Sequence, residues 1–258
     1  MKIACNCLIK NEENFIWFAI NSVLPYVDEI LVWDMGSVDK TVEIVKSIKS
    51  EKLKFKQTSE TDVSMVRQQM LDETHADWIF ILDGDEIWHD EQIQEQTQEI
   101  RDNGEKYDVV VNSNTMLIGD IYHYMDPKLG RYKIHDIVGH YNIRFIKKLP
   151  GLHLKGSYPN ESYVDENNVM SQNFSKDKIL FSNNFYLHAS FLPRSSKDNK
   201  KVKYERGLSF PLDYFYPEVF FKNKPNMIPL PWTATGINYK IRSLIELPFK
   251  KIKRSIYE

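Results

Sequence analysis

Hydrophobic and polar positions follow two alternating patterns through the first third of the chain. Short apolar runs predict four strands, over residues 2–9, 29–34, 53–57 and 77–82. Longer amphipathic stretches separate these runs and predict helices. The resulting order β-α-β-α-β-α-β is typical of parallel βαβ units, so the sequence predicts an α/β fold.

Polar residues that can cap a helix precede each amphipathic stretch. We predict three helices, from Asn11 through Val23, from Asp39 through Lys49, and from Asp62 or Ser64 through Glu73.

The second half of the chain has a weaker pattern. Residues 89–103 carry only two apolar positions, seven apart, and predict a solvated surface helix. Further strands are predicted at 107–114, 140–148 and 185–190. The stretch 119–139 has no clear periodicity and predicts a long loop or a short hairpin, which we interpret as a lid or an acceptor-binding element.

Composition narrows the class of protein. The chain has 258 residues, 42% hydrophobic and 27% charged, as expected for one large globular domain. A formal net charge of −2 provides no basic field for nucleic acid. The two cysteines, Cys5 and Cys7, cannot form a disulfide framework, and we interpret them as small residues of a buried strand in a reducing cytosol. With no signal-peptide pattern and no window of 18 uninterrupted apolar residues, we expect a cytoplasmic protein.

The last segment of the chain changes character. Five prolines between 211 and 231 argue against a continuous helix before residue 237. The helix predicted from there has six basic residues against two acidic ones: Lys240, Arg242, Lys250, Lys251, Lys253 and Arg254 against Glu246 and Glu258. A basic amphipathic helix can lie on anionic lipid, whereas a helix docked on the domain with a solvated basic face is the alternative.

Acidic residues follow the fourth predicted strand. Asp83, Asp85 and Glu86 stand at the carboxyl end of a buried strand, where open α/β sheets bind ligands. Crowded carboxylates repel one another unless a cation or hydrogen-bond donors compensate, and a divalent ion is the simple compensator. Oxygen ligands indicate Mg²⁺ or Mn²⁺, and Gly84 lets the backbone approach a ligand closely. Capping of the following helix is the alternative role.

A second acidic cluster follows the second predicted strand. Asp34 ends that strand at the same sheet edge as Asp83, so both side chains are expected to line one crevice. We interpret Asp34 as a hydrogen-bond partner of a ribose hydroxyl or a base. Asp39 is interpreted as a structural helix cap.

Three segments together resemble one enzyme family. CLIKNEE near the start, DMGSVDKTVEIV after the second strand and DWIFILDGDE around the fourth resemble the nucleotide-sugar glycosyltransferases of GT-A fold, specifically glycosyltransferase family 2. The resemblance covers residues 1–90 well, is patchy to about 200 and is absent from the tail. It implies a Rossmann-like open mixed sheet with helices on both faces. We expect a glycosyltransferase domain over 1–210, with a nucleotide-binding half over 1–105 and an acceptor-side half over 106–210, and an extension over 211–258.

The same resemblance implies an inverting, metal-dependent transfer from a nucleoside diphosphate sugar to a hydroxyl of a glycan or lipid-linked acceptor, as in polysaccharide biosynthesis. The implied donor-site residues are Leu8, Lys10 and Glu12 around the base, Asp34 near the nucleoside, Arg67 on the nucleotide, Asp83 with Gly84 on the ribose side, and Asp85 on the metal. Arg67 as an ordinary surface-helix arginine is the alternative. Many members carry an aspartate where this chain has Met35, which leaves the identity of the base open.

An inverting transfer needs a carboxylate to take the proton from the acceptor hydroxyl. Glu161 follows an arginine-bearing strand as the family's His-Glu pair does, although the preceding residue here is Asn160. We predict Glu161 as the base, with Asp165 and Asp136 in reserve. His188, at the end of the last predicted strand, resembles the late histidine that joins the metal or the diphosphate, and a core histidine is the alternative.

Two other functions stay open at this point. DGD also resembles the DxD of aspartate-nucleophile phosphatases, and nucleotidyltransferases combine a nucleotide crevice with acidic metal ligands. A nucleotide-sugar-binding protein without catalysis is the other possibility, because Met35 and Asn160 depart from the family pattern.

Overall fold

The computed structural model describes residues 1–198 and 202–257, and of residues 251–257 it describes the backbone only. Its helices are α1 Ile16–Val23, α2 Thr41–Ser47, α3 Val63–Glu73, α4 Asp90–Asn103 and α5 Ile237–Tyr257. Its first seven strands are β1 Ile3–Ile9, β2 Glu29–Asp34, β3 Leu53–Gln57, β4 Trp78–Asp83, β5 Glu86–Trp88, β6 Val109–Ile118 and β7 Asp120–Tyr124. The later strands are β8 Tyr132–Ile134, β9 Ile137–Gly139, β10 Tyr141–Lys147, β11 His153–Lys155, β12 Ser162–Val164, β13 Ile179–Phe191 and β14 Leu208–Ser209.

Four parallel strands from the start of the chain form one half of the central sheet. β1 lies between β2 and β4, and β3 extends the sheet beyond β2. The register pairs Ile9 with Asp34 and Leu8 with Asp83, so the carboxyl ends of β1, β2 and β4 meet at one edge. The four strands agree with the sequence prediction to within one residue. β1, β2 and β4 are continuous apolar runs that are buried, whereas β3, at the sheet edge, alternates apolar and polar residues.

The second half of the sheet is mixed. β10 pairs antiparallel with β4, β6 follows β10, and β7 and β14 complete that edge. β13 runs parallel to β6 and antiparallel to β5, so within the described residues ten strands form one sheet. This confirms the predicted α/β class with an open mixed sheet.

Two of the three predicted helix starts were inexact. α3 begins as predicted, with the Asp62 carboxylate accepting from the backbone N–H of Ser64 at 2.8 Å. α1 begins only at Ile16, because Asn11 has a φ of 56° and its side-chain oxygen accepts from the backbone N–H of Val38. The prediction that Asn11 caps this helix was wrong.

The second helix is shorter than predicted. α2 ends at Ser47 instead of Lys49, since Ile48 is already extended. Its start is close to the expected one, and Asp39 Oδ1 accepts from the backbone N–H of Thr41 at 2.9 Å.

The stretch 119–139 contains β7 and a separate hairpin of β8 and β9. Residues Val219, Phe220 and Ile228 of the proline-rich segment belong to the main hydrophobic core. The last helix begins at Ile237, as expected, and continues through Pro248. The predicted basic side chains of Lys251, Lys253 and Arg254, and the acid Glu258, lie outside the described residues.

None of the helices in the described part of the chain has the length and apolar character needed to cross a bilayer. Cys5 and Cys7 are free and buried in β1, as predicted.

Aromatic packing holds together the strands that carry the acidic cluster. Phe80 of β4 stacks on Phe145 of β10 with ring centroids 4.3 Å apart, and Trp88 of β5 stacks on Tyr186 of β13 at 4.9 Å. All four rings are fully buried. Stacked and edge-on aromatic pairs add to the stabilisation that burial provides, so this core fixes the relative positions of the four strands.

Candidate active site

The carboxyl ends of β1 and β4 open into a cavity of about 700 Å³. Eight of the predicted site residues line it: Leu8, Lys10, Glu12, Arg67, Asp83, Gly84, Asp85 and His188. Gly84 is needed for close packing, because a Cβ there would lie 2.8 Å from Cγ of Glu12. The structure therefore brings together residues that are as many as 180 positions apart in the chain.

Asp83 ends β4 between two arginines. Arg144 Nη2 donates to Asp83 Oδ2 at 3.0 Å, and Arg67 Nη2 donates to Oδ1 at 3.4 Å. Burial alone would raise the pKa of Asp83, but the two guanidinium groups outweigh burial and hold this pKa well below its usual range. Guanidinium donors of the protein thus balance the charge of Asp83.

Asp85, 1% exposed, faces His188 in the cavity wall. His188 Nε2 lies 3.4 Å from Asp85 Oδ1, and Arg194 Nη1 lies 3.6 Å from Oδ2. Burial disfavours both charged forms. The attraction between the two groups nevertheless lowers the pKa of Asp85 and raises the pKa of His188.

Glu86 is the innermost acid of the cluster and has no exposed surface. Arg144 donates to Glu86 Oε1, and Nε of Arg144 donates to the Tyr186 hydroxyl at 2.9 Å. Burial raises the pKa of Glu86 to about 7 in spite of the opposing charge of Arg144. Arg144 therefore holds two carboxylates and a phenol in fixed positions beneath the cavity.

Sequence reasoning used Glu86 only as part of the acidic cluster and gave Arg144 no role of its own. An arginine in an otherwise apolar strand, at IRFIKK, was the available signal, since a buried charge needs a partner.

Glu161 lines a second cavity of about 530 Å³ next to the first. Arg67 and Asp83 line both cavities. Arg67 Nε lies 3.6 Å from Glu161 Oε1, so one guanidinium contacts both Glu161 and Asp83. Although burial opposes its charge, Asp83, Tyr163 and Glu161 raise the pKa of Arg67, with Asp83 contributing most.

The two reserve carboxylates lie elsewhere. Asp136 is paired with Lys176 at 2.9 Å on the surface, and Asp165 accepts from the backbone of its own turn. Neither of them lines either cavity.

Asp34 is fully buried and does not line the cavity. Its carboxylate accepts from the backbone N–H groups of Gly36 and Ser37, each at 3.2 Å, and from Gln57 Nε2 at 3.3 Å. Met35, the departure from the family pattern, does line the cavity. A contact between Asp34 and a nucleoside stays a prediction.

A segment over 193–198, which follows β13, closes one side of the larger cavity. The backbone N–H of Asn14 donates to the carbonyl of Arg194 at 2.9 Å, and the backbone N–H of Ser196 donates to Glu13 Oε1 at 2.6 Å. Ser195 Oγ donates to Asp39 Oδ2 at 2.5 Å. The acids near the end of β1 and before α2 therefore hold this segment in place.

Arg194 and Lys197 of the 193–198 segment line the cavity. Arg194 Nη1 donates to Glu12 Oε1 at 2.7 Å, which places a guanidinium beside the Asp85 carboxylate. Sequence reasoning missed both cations, because no local pattern in this segment indicates which distant residues it contacts.

Two groups of side chains are candidates for a divalent ion. Asp83, Glu86 and His188 have ligand atoms within 4.8 Å of one another, but Arg144 already donates to both of those carboxylates. Asp85 and His188 fit better, because both line the cavity and Asp85 Oδ2 is buried with no hydrogen-bond partner among the described residues. Their 3.4 Å separation is close to the roughly 3 Å between two ligands that share one such ion.

The sequence pattern that defines "Glycosyl transferase family 2" matches residues 8–150, more than half of the chain and the part that carries the acidic cluster. The chain belongs to glycosyltransferase family 2. It is 33% identical over 95 residues to the SPbeta prophage-derived glycosyltransferase SunS of Bacillus subtilis (strain 168), a match that covers 34% of this chain. The aligned part is only 21% of the length of SunS.

A solved structure shows the same fold. It is glucosyl-3-phosphoglycerate synthase from Mycobacterium tuberculosis in complex with phosphoglyceric acid. The matched region covers 72% of this chain and 71% of the synthase chain, with 17% identity and a TM-score of 0.50. The match to S. aureus TarS 1–349 in complex with UDP-GlcNAc covers 73% of this chain and 58% of the TarS chain, with 16% identity and a TM-score of 0.49. The GT-A-like fold expected from the sequence is confirmed.

Proposed function

We propose that this family 2 protein is an inverting, metal-dependent glycosyltransferase that moves a sugar from a nucleoside diphosphate sugar to an acceptor hydroxyl. One observation carries the proposal: all of the donor residues expected from the sequence except Asp34 line one cavity, and Glu161 lines the adjoining cavity, linked to the first by Arg67. A volume of about 700 Å³ is in the range of cavities that hold cofactors and small molecules.

The donor lies in the larger cavity, with the base near Leu8, Lys10 and Met35. Asp85 and His188 would hold Mn²⁺ or Mg²⁺, which neutralises the negative charge of the diphosphate. The imidazole favours Mn²⁺, since Mg²⁺ takes oxygen ligands. Arg194 and Lys197 add positive charge on the same side, where the leaving diphosphate accumulates charge.

The acceptor lies in the smaller cavity, where Glu161 takes the proton from its hydroxyl as the new glycosidic bond forms. Arg67 keeps Glu161 oriented toward the shared wall. Attack from this side, with the diphosphate leaving on the other, inverts the configuration at the anomeric carbon.

Asp83 is poorly suited to be a phosphatase nucleophile. Each of its two oxygens accepts from a guanidinium group, which withdraws charge from a carboxylate that would have to attack phosphorus. Glycosyl transfer therefore accounts for the site better than phosphoryl transfer does.

We assign acceptor binding to the half over 106–210, and donor binding to the half over 1–105 together with His188, Arg194 and Lys197 of the other half. The acceptor is a glycan or a lipid-linked glycan, and the extension over 211–258 brings the enzyme to a membrane surface.

A panel of nucleoside diphosphate sugars, each with Mn²⁺ and with EDTA, tests the proposal by thermal shift and by release of nucleoside diphosphate. A bound donor stabilises the native state by RT ln(1 + [L]/Kd), which is about 2.7 kcal/mol at a concentration 100 times Kd. Asp85→Asn should abolish both the Mn²⁺-dependent shift and the release, whereas Asp72→Asn, on the exposed face of α3, should change neither. Release that survives both EDTA and Asp85→Asn would refute the metal-dependent mechanism.

A further inference from the structure

The C-terminal helix α5 contacts the rest of the domain through its polar side. Ser243 is 4% exposed, and the Tyr239 hydroxyl donates to the carbonyl of Lys203 at 2.8 Å. Lys250 donates to the carbonyl of Tyr204. Successive members of this set are four and seven positions apart, one and two turns of helix, so they form one face of the helix.

The apolar face of α5 points away from the domain. Its five large side chains are between 49% and 70% exposed: Ile237, Ile241, Leu244, Ile245 and Phe249. Their spacing places them on one side of the helix, opposite the contact face. A surface helix normally buries its apolar side against the core, so this reversed arrangement marks an interaction surface.

Positive charge borders this apolar face on both sides. With about 100° of rotation per residue, Lys240 lies on one side of the apolar face and Arg242 on the other. Among the described residues neither side chain pairs with a carboxylate, and Arg242 instead donates to the Tyr204 hydroxyl at 3.1 Å. Exposed apolar side chains flanked by cations match the surface of an anionic bilayer, where the chains insert and the cations meet headgroups.

A cavity of about 320 Å³ lies at the start of the same helix. Arg206, Lys240 and His123 line it, together with Leu244 of the apolar face. Within the described residues neither Arg206 nor Lys240 has an ion-pair partner, and the acid of this cavity, Glu205, lies 3.8 Å from Lys203 Nζ. Two cations against one carboxylate thus leave the cavity with an excess of positive charge directly beside the apolar face.

We infer that α5 lies in the surface of an anionic membrane with its apolar face inserted, and that the adjoining cavity receives the phosphate of a lipid headgroup. The inference extends the proposed function, because it places the enzyme where a lipid-linked acceptor lies. It is tested separately from catalysis, since vesicle binding requires neither a donor nor a metal.

Co-sedimentation of the full chain with vesicles tests the inference. We expect binding to vesicles of phosphatidylcholine with phosphatidylglycerol, weaker binding to phosphatidylcholine alone, and a further loss at high salt. Ile241→Ser combined with Ile245→Ser should weaken binding on the order of tenfold or more. Phe215→Ser is the matched control, because Phe215 is 64% exposed outside the helix.

Charge reversal tests the headgroup cavity. Lys240→Glu and Arg206→Glu should each weaken binding to the anionic vesicles by roughly fivefold or more. Lys133→Glu, on the exposed hairpin of β8 and β9, should leave it unchanged. All of these positions are exposed, and an unchanged thermal unfolding curve verifies that each variant is folded.

Three results would overturn the inference. The first is vesicle binding that the helix variants do not affect. The second is self-association in analytical ultracentrifugation that the double serine variant abolishes, with no vesicle binding, because a second copy would then cover the face. The third is saturable binding of inorganic phosphate to the cavity with no affinity for vesicles, which would identify a free phosphate as the ligand.

Discussion

Arg144 is the side chain of the candidate site whose removal should lower the free energy of unfolding most. Arg144→Met keeps much of the length of the side chain but deletes the guanidinium that contacts Asp83, Glu86 and Tyr186. Glu86 has no exposed surface and would lose its cation, while Asp83 would keep Arg67 at 3.4 Å. Because the pKa of Glu86 is already raised to about 7, the main cost above that pH is the uncompensated charge of Glu86.

Breaking a buried ion pair by removing one partner costs about 3–5 kcal/mol. At about pH 8 and above, where Glu86 is ionised, we expect Arg144→Met to lower the free energy of unfolding by this amount, a change of about 140- to 4,000-fold in the unfolding equilibrium. Adding Glu86→Gln removes the uncompensated charge, so the double variant should recover about 2 kcal/mol of the loss.

Urea unfolding followed by tryptophan fluorescence measures these differences. Arg101→Met is the matched control, because Arg101 pairs with Asp28 at 3.1 Å while 29% and 38% of the two side chains remain exposed. Its cost should stay below about 1 kcal/mol. Equal costs for the two arginines, or no recovery in the double variant, would refute the view that Glu86 needs a charged partner.

Two further predictions concern the base and the segment over 193–198. Glu161→Gln should lower the rate of transfer by about 10²- to 10⁴-fold and leave the calorimetric Kd of the donor unchanged, and transfer at the parent rate would exclude Glu161 as the base. Burial opposes ionisation of Asp39, but hydrogen bonds from Ser195 and Thr41 lower its pKa in the folded state. The stability that ionised Asp39 contributes is therefore present above about pH 4 and is lost as the pH falls through this lowered pKa. Asp39→Asn should flatten the acid side of the plot of Tm against pH, and an unchanged slope would contradict this assignment.

The parallel half of the fold was predictable because its signals are local. A strand buried by helices needs a continuous apolar run, and the ends of β1, β2 and β4 follow from where those runs stop. Residues directly after such strands must meet at one sheet edge, which is why the cavity contains Lys10, Asp83 and Asp85 as expected.

The antiparallel half was not predictable to the same degree. β13 extends over Ile179–Phe191, and its pairing with both β5 and β6 depends on residues more than 60 positions away. The hairpin of β8 and β9 is only three residues per strand, too short for a periodic pattern.

The sequence by itself determined the α/β class, the family and the edge of the sheet at which the candidate site lies, since each depends on short apolar runs and on the residues that follow them. Only the tertiary structure decided which cations compensate which acids. It placed Arg144 between Asp83 and Glu86, and Arg194 beside Asp85, from strands and loops far along the chain. It also turned the apolar face of α5 outward, because the partners of a helix are set by long-range packing and not by its own periodicity.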